Sequence, residues 1–194
     1  MKRIGVLLLT ALTLSGCVRT KKTAYVDPDA LGDVEGTGFE ARDVRAVTQD
    51  MARELLASPI LAQFEGAPRI AVEPIKNRSR FLINKDMFTT LLTDLLISNS
   101  AGQLAILNRE IVDQIMAERE LKRSGEADAS KLTALAGADY FLTGEIQSLS
   151  ATDGKTQSDY LVVRFQLTDA ETGIVGWSNT YEIKKEGSWG VVYQ

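Results

Sequence analysis

The chain's only cysteine, Cys17, closes a short apolar run at the amino terminus, and this limits how the rest can be held together. Lys2 and Arg3 open the chain, Val6 to Leu14 is almost wholly apolar, and Leu14-Ser15-Gly16-Cys17 ends the run. A basic start, an apolar stretch of roughly ten residues and small residues before a cut describe a secretory signal. The stretch is too short to span a bilayer, which takes about 20 apolar residues. Leu-Ser-Gly-Cys is also the bacterial lipobox pattern, so we expect residues 1–16 to be removed and Cys17 to carry lipid. The alternative is an ordinary signal peptide with a chance cysteine near its cut. A lipidated Cys17 leaves no thiol for a disulfide, so the mature protein depends on its core alone.

Val18 follows Cys17, where an Asp would be the usual inner-membrane retention signal of enteric bacteria. The expected location is therefore the outer membrane, with the lipid at its surface and the body in the periplasm. Each acyl chain contributes about 0.8 kcal/mol per buried CH₂, so several chains anchor firmly. Residues 18–40 combine Gly, Asp, Lys and Thr with few large apolar side chains, and read as a flexible tether with Pro28 its only proline. Its contour reaches at most about 80 Å, at roughly 3.5 Å per residue. The remainder, residues 41–194, is long enough for one well-buried domain.

Lys and Arg number 22 and Asp and Glu 26. Without Lys2 and Arg3 the balance is 20 against 26, or −6 with an acylated terminus. An acidic chain of this kind does not suit nucleic acid, which favours a basic surface, and has no general attraction for anionic lipid.

Periodicity sets the organisation of the body. Val44, Val47, Met51 and Leu55 recur at helical spacing and stop before Ser58-Pro59. Arg69 to Ile75 reads as a strand with Pro74 near its end, and Lys76 to Arg80 as a polar loop. Asn84 can cap a helix carrying Met87, Phe88, Leu91, Leu92, Leu95 and Leu96. Gln103 to Leu107 is a short strand, Asn108 an N-cap for a helix with Ile111, Ile115 and Met116, and Ala129 to Ala136 a further helix. Three strands follow: Tyr140 to Leu149, a hairpin turn at Asp153-Gly154, Leu161 to Asp169, and Ile174 to Lys184. On the last of these Trp177, Tyr181 and Ile183 share period-two spacing, as core residues do. The order predicts an α+β fold, an α/β sandwich with helices packed on one mixed sheet and antiparallel strands at its carboxyl end.

Candidate chemistry is sparse. The sequence has no histidine, which removes the commonest general base and the commonest zinc ligand. No catalytic residue, metal ligand or cofactor site is assigned. Glu118 to Arg123 alternates charge as a solvated helix face does. Gly36-Thr37-Gly38-Phe39-Glu40-Ala41 has the letters of a dinucleotide fingerprint, but acidic linker rather than a strand precedes it, and Asp33 and Glu35 would repel phosphate. Asn77, Arg78 and Arg80 stand apart: the two arginines are long donors on a short connection at a sheet end, in a chain that is otherwise acidic. They fit a partner contact. They also fit a turn that Asn77 shapes through its own backbone while the arginines are solvated.

Ile70-Ala71-Val72-Glu73-Pro74-Ile75-Lys76-Asn77-Arg78-Ser79 resembles the strand-then-Asn-Arg-Ser/Thr segment of the LpoB family, lipoprotein activators of penicillin-binding proteins. Ala105-Ile106-Leu107, then Asp113, Gln114 and Met116, then Gly137 to Gly144 and Thr172 to Ser178 agree in order. The resemblance covers about residues 66–185. It implies a non-catalytic outer-membrane lipoprotein whose domain docks on a bifunctional class A penicillin-binding protein and activates it allosterically. It also implies that Asn77, Arg78 and Arg80 contact that partner. The family's better-known members have a longer, proline-rich tether. Proteins related to the curli-secretion and TolB amino-terminal folds carry strings like the last two motifs, so a structural or assembly lipoprotein of an envelope or secretion complex is the alternative.

Overall fold

The computed structural model describes residues 23–31, 36–128, 130 and 134–188. The expected signal peptide, Cys17 and part of the expected tether lie outside the described residues. Within them no helix is long and apolar enough to cross a membrane.

Helix α1 spans Ala41–Leu56 and begins with a reciprocal cap: the Glu40 N–H donates to Asp43 Oδ2 at 2.9 Å while the Glu40 carboxylate accepts from the first turn. Val44, Val47, Met51 and Leu55, the predicted stripe, are buried. Pro59 does not merely stop this helix; it opens a separate single turn, α2, Pro59–Ala62, since a first-turn position needs no N–H. Helix α3, Lys85–Asn99, starts as expected, with Asn84 accepting from the Met87 N–H, and turns Phe88, Leu92 and Leu96 inward.

The helices pack on one face of a six-stranded mixed sheet: β1 Arg69–Val72, β2 Lys76–Arg78, β3 Ala105–Leu107, β4 Tyr140–Thr152, β5 Thr156–Asp169 and β6 Val175–Ser188. The order is β3-β1-β4-β5-β6, with β2 also on β4. Strands β1, β2 and β3 pair in parallel, while β4, β5 and β6 form an antiparallel meander. The predicted α+β class is therefore the observed one. Ile70, Leu142, Ile146, Val163, Phe165 and Leu167 supply the inner sheet face and are essentially inaccessible to solvent, with Trp177, Tyr181 and Ile183 packed at its margin. Arg69 and Asp139 tie the starts of β1 and β4 by a forked ion pair at 2.9 and 2.5 Å. The hydrogen bonds and charge of Arg69 hold the Asp139 carboxyl below its usual range.

Four expectations need correction. Residues 76–78 are strand β2, not loop: Val72 stands opposite Leu142 and Lys76 opposite Glu145, so residues 73–75 face only 143–144. Pro74 has no N–H to give, the strand bulges there, and pairing then resumes through backbone groups that polar side chains do not disturb. Helix α4 begins later than Asn108, at Val112, and runs to Ser124; Asn108 instead accepts from the Glu110 N–H in the preceding turn. The helix expected over 129–136 falls partly outside the described residues, and Ala134 to Ala136 are not helical. So short a helix needs packing to form, yet Leu135 is 40% exposed. Finally, β4, β5 and β6 all extend further toward the Asp153-Gly154 turn than the apolar alternation indicated.

Gly144 sits where the meander meets the bulge, and a Cβ there would lie 2.6 Å from Phe165 Cε1 and 3.1 Å from Ile75 Cγ1. Gly144→Ala should cost about 2 kcal/mol by overpacking. Gly137→Ala, which meets nothing within 4 Å, should stay within about 0.5 kcal/mol. Urea unfolding of the two variants checks both values.

Candidate functional site

The polar segment after the bulge is divided by the alternation of the strand. Asn77 stands opposite Ile146, on the inner side, whereas Lys76 and Arg78 are level with Glu145 and Gln147 on the outer side. Asn77 closes the turn that follows. Its Oδ1 accepts from the Ser79 N–H at 2.9 Å and the Ser79 hydroxyl at 2.6 Å, and its Nδ2 donates to the Phe81 carbonyl at 2.8 Å. An amide suits this position because it supplies both an acceptor and a donor.

Arg80 returns to the inner side and binds a buried carboxylate. Its Nε and Nη2 reach the two oxygens of Asp159 at 2.9 and 2.8 Å, its guanidinium lies 4.6 Å from the Phe81 ring centroid, and its N–H donates to Ser148 Oγ at 3.0 Å. Asp159 is 0% exposed. Burial acts to raise its pKa, but hydrogen bonds from Ser150 and Thr37 and the charge of Arg80 outweigh it, leaving the carboxyl below its usual range. Gln157 Nε2 also donates to Asp159 Oδ2, at 2.6 Å. Arg80 is thus engaged by a buried partner, although its own side chain stays 45% exposed.

Arg78 is different. Its side chain is 65% exposed, and the ion pair it makes is long, 3.5 Å from Nε to Glu145 Oε1. Around it lies the outer face of the meander, where register aligns Glu145 with Arg164, Gln147 with Val162 and Leu149 with Tyr160. Leu149 is 72% exposed. The result is an open, strand-built surface with cations from Lys76, Arg78 and Arg164 around Glu145, beside the apolar groups of Leu149, Val162 and Tyr160. Sequence reasoning missed these neighbours. The alternation of Tyr160, Val162 and Arg164 against the buried Leu161 and Val163 was the available signal. Chemically the surface can bind, by charge-assisted hydrogen bonds and apolar contact. Among the described residues no group of acidic side chains could hold a metal.

Fold and surface together define an α+β domain with an open sheet face and a cationic corner. The model of the peptidoglycan-synthase activator LpoB family matches residues 43–183, and the chain belongs to that family. Among solved structures it is similar to the LpoB C-terminal domains from Escherichia coli and Salmonella enterica. Each is 16% identical with a TM-score of 0.47 and covers 74% of this chain and 99% of that one. It is also similar to lipoprotein GNA1162 from Neisseria meningitidis, at 16% identity and a TM-score of 0.38, covering 61% of this chain and 83% of that one. Comparison with curated protein sequences gives no match. The family is one of regulatory activators rather than enzymes.

The two arginines should separate in a stability assay. Asp159→Asn should cost about 2 kcal/mol near neutral pH, since it leaves Arg80 without its countercharge while the half-exposed guanidinium can still reach water. Arg78→Ala should change stability by less than about 0.5 kcal/mol. Because the folded state lowers the pKa of Asp159, its stabilisation is full above the unfolded value of about 4 and is lost as pH falls below that, through the folded value. Urea titrations across acid pH should show a shallower acid limb in Asp159→Asn than in the parent.

Proposed function

We propose that this protein binds a class A penicillin-binding protein and activates peptidoglycan synthesis without chemistry of its own. Membership of the LpoB family over residues 43–183 carries this reading. The domain would hang from lipid on Cys17 at the outer membrane and meet the synthase in the periplasm. Activation then requires that it bind the synthase's active conformation more tightly than its inactive one.

The contact we assign is the outer face around β2. Arg78 would touch the partner directly, while Asn77 and Arg80 hold the turn that presents it. The open face supports this reading because the exposed side chains of Lys76, Arg78, Arg164 and Leu149 gather there beside the partly exposed Val162 and Tyr160. A cationic corner on an otherwise acidic protein calls for an acidic or carbonyl-rich patch opposite, and such charges act chiefly on association rate and specificity.

A lipid-free domain of residues 36–194 should capture a penicillin-binding protein from solubilised envelopes and raise its rate of glycan-strand synthesis. Capture of none, or an unchanged rate, would overturn the activator reading. Arg78→Glu should weaken binding at least about tenfold, most at low salt, with stability preserved. Unchanged binding in that variant would overturn the placement of the contact alone.

A further inference from the structure

The segment just before α1 is built into the same polar cluster as Arg80. Residues 36–40, which the sequence assigns to a tether, lie on the inner side of the far half of the meander. Thr37 is buried, and its Oγ1 accepts from Gln157 Nε2 at 3.3 Å. Its hydroxyl is also among the groups that bind Asp159. Phe39 packs edge-on against Phe88, with ring centroids 5.4 Å apart. One strand over, Lys185 stands directly opposite Asp159 in the β5–β6 register. Lys185 donates to the Gly38 carbonyl at 3.1 Å, is bonded to the Asp43 carboxylate, and lies 3.7 Å from Glu40. Asp159 and Lys185 therefore form one cross-strand pair, with the Arg80 turn attached to the first and residues 38–43 to the second. Thr37 and Gln157 connect the two sides.

We propose that residues 36–40 are a positioning clasp for the turn 77–81, so that the root of the amino-terminal leader and the surface presenting Arg78 form one hydrogen-bonded unit. Thr37 is the positioning residue. It acts through Gln157 and Asp159 on Arg80, and through Arg80 on the turn. Groups in a buried network of this kind share the cost of opening, because freeing one leaves its neighbours unsatisfied. The consequence is reciprocal linkage. A partner that holds the turn also holds the clasp, and a pull on the leader that lifts Thr37 loosens the turn. The anchored end would then report to the binding face rather than serve only as a leash. This rests on the synthase-docking reading above, although the clasp itself is testable without a partner.

Three amides read the turn: Ser79 N–H on Asn77, Arg80 N–H on Ser148, and Phe81 N–H on Ser79 Oγ. Hydrogen exchange on the full chain in mild detergent compares the parent with Thr37→Val, which loses the hydroxyl at nearly constant volume, and Thr37→Ser, which keeps it. Arg45→Ala, which breaks the exposed pair with Asp29, is the control. Thr37→Val should speed exchange at the three amides about tenfold while core amides of β4 and β5 hold their parent rates. Thr37→Ser and Arg45→Ala should match the parent. Unchanged rates at residues 79–81, or an equal acceleration throughout the domain, would overturn the clasp whether or not a synthase binds. In a second arm, saturating purified class A synthase should slow exchange at Gly36 and Glu40, whose N–H groups bond Glu40 and Asp43. Protection of residues 79–81 without protection of Gly36 and Glu40 would overturn the linkage. Absence of any binding would overturn the docking reading, and the first arm alone then decides the clasp.

Discussion

The strands of this domain are longer than its helices can cover, and much of the structure follows from that mismatch. At about 3.3 Å per residue, the 13 residues of β4 extend roughly 43 Å. At about 1.5 Å per residue, the 16 residues of α1 extend roughly 24 Å. Over the half of the meander near Tyr140 and Leu167, α1 and α3 bury an apolar face. Beyond Ile146 and Val163 the inner face needs another cover. It receives two short irregular segments, residues 36–40 and 79–83, with Phe39, Phe81 and Ile83 as their inward apolar members. Irregular chain brings its own polar groups, so the strand beneath must answer them with hydrogen bonds.

That requirement accounts for the ionic groups inside. Asp159 would be strongly destabilising if buried alone, but the Arg80 fork and the Ser150 and Gln157 donors occupy its two oxygens. Lys185 is treated likewise by Asp43, Glu40 and the Gly38 carbonyl. Such pairs add little net stability relative to a well-packed apolar core. They do restrict the alternatives. A one-residue slip of β5 would send Asp159 to the outer face and leave Arg80 with no partner. The pairing fixes register in the stretch of the sheet where apolar alternation is weakest.

The same point decides what could be read from the sequence. Helices α1 and α3 and the near halves of β4 and β5 were legible because Val44 to Leu55, Phe88 to Leu96 and Val163 to Leu167 carry clean periods of 3.6 and 2. The far halves were not, because inward positions there are Ser150, Asp159 and Lys185 and read as polar loop. Strand β2 was hidden for a different reason: Lys76-Asn77-Arg78 has no apolar member, and only pairing with β4 makes it a strand. At the site, the segment was found but its division of labour was not. Asp159 lies 79 residues beyond Arg80, and no local pattern joins them. Residues 36–40, with two glycines and a glutamate, look like linker until Lys185 and Gln157 are placed beside them.

Alternation gives the Asn77-Arg78-Ser79-Arg80 segment its logic. On a strand that leads into a turn, neighbouring residues face opposite ways, so one short motif can serve the interior and the surface together. Asn77 and Arg80 turn inward and are fixed by their hydrogen-bond partners, Arg80 with one flank open to solvent. Arg78 faces outward and keeps a loosely paired guanidinium on a rigid mount. A long side chain normally loses rotamer entropy when it binds, and a stiff base beneath it limits that loss to the side chain itself. For that reason the pair of half-exposed Arg80 with buried Asp159 belongs with the binding face: it fixes the backbone from which Arg78 reaches out.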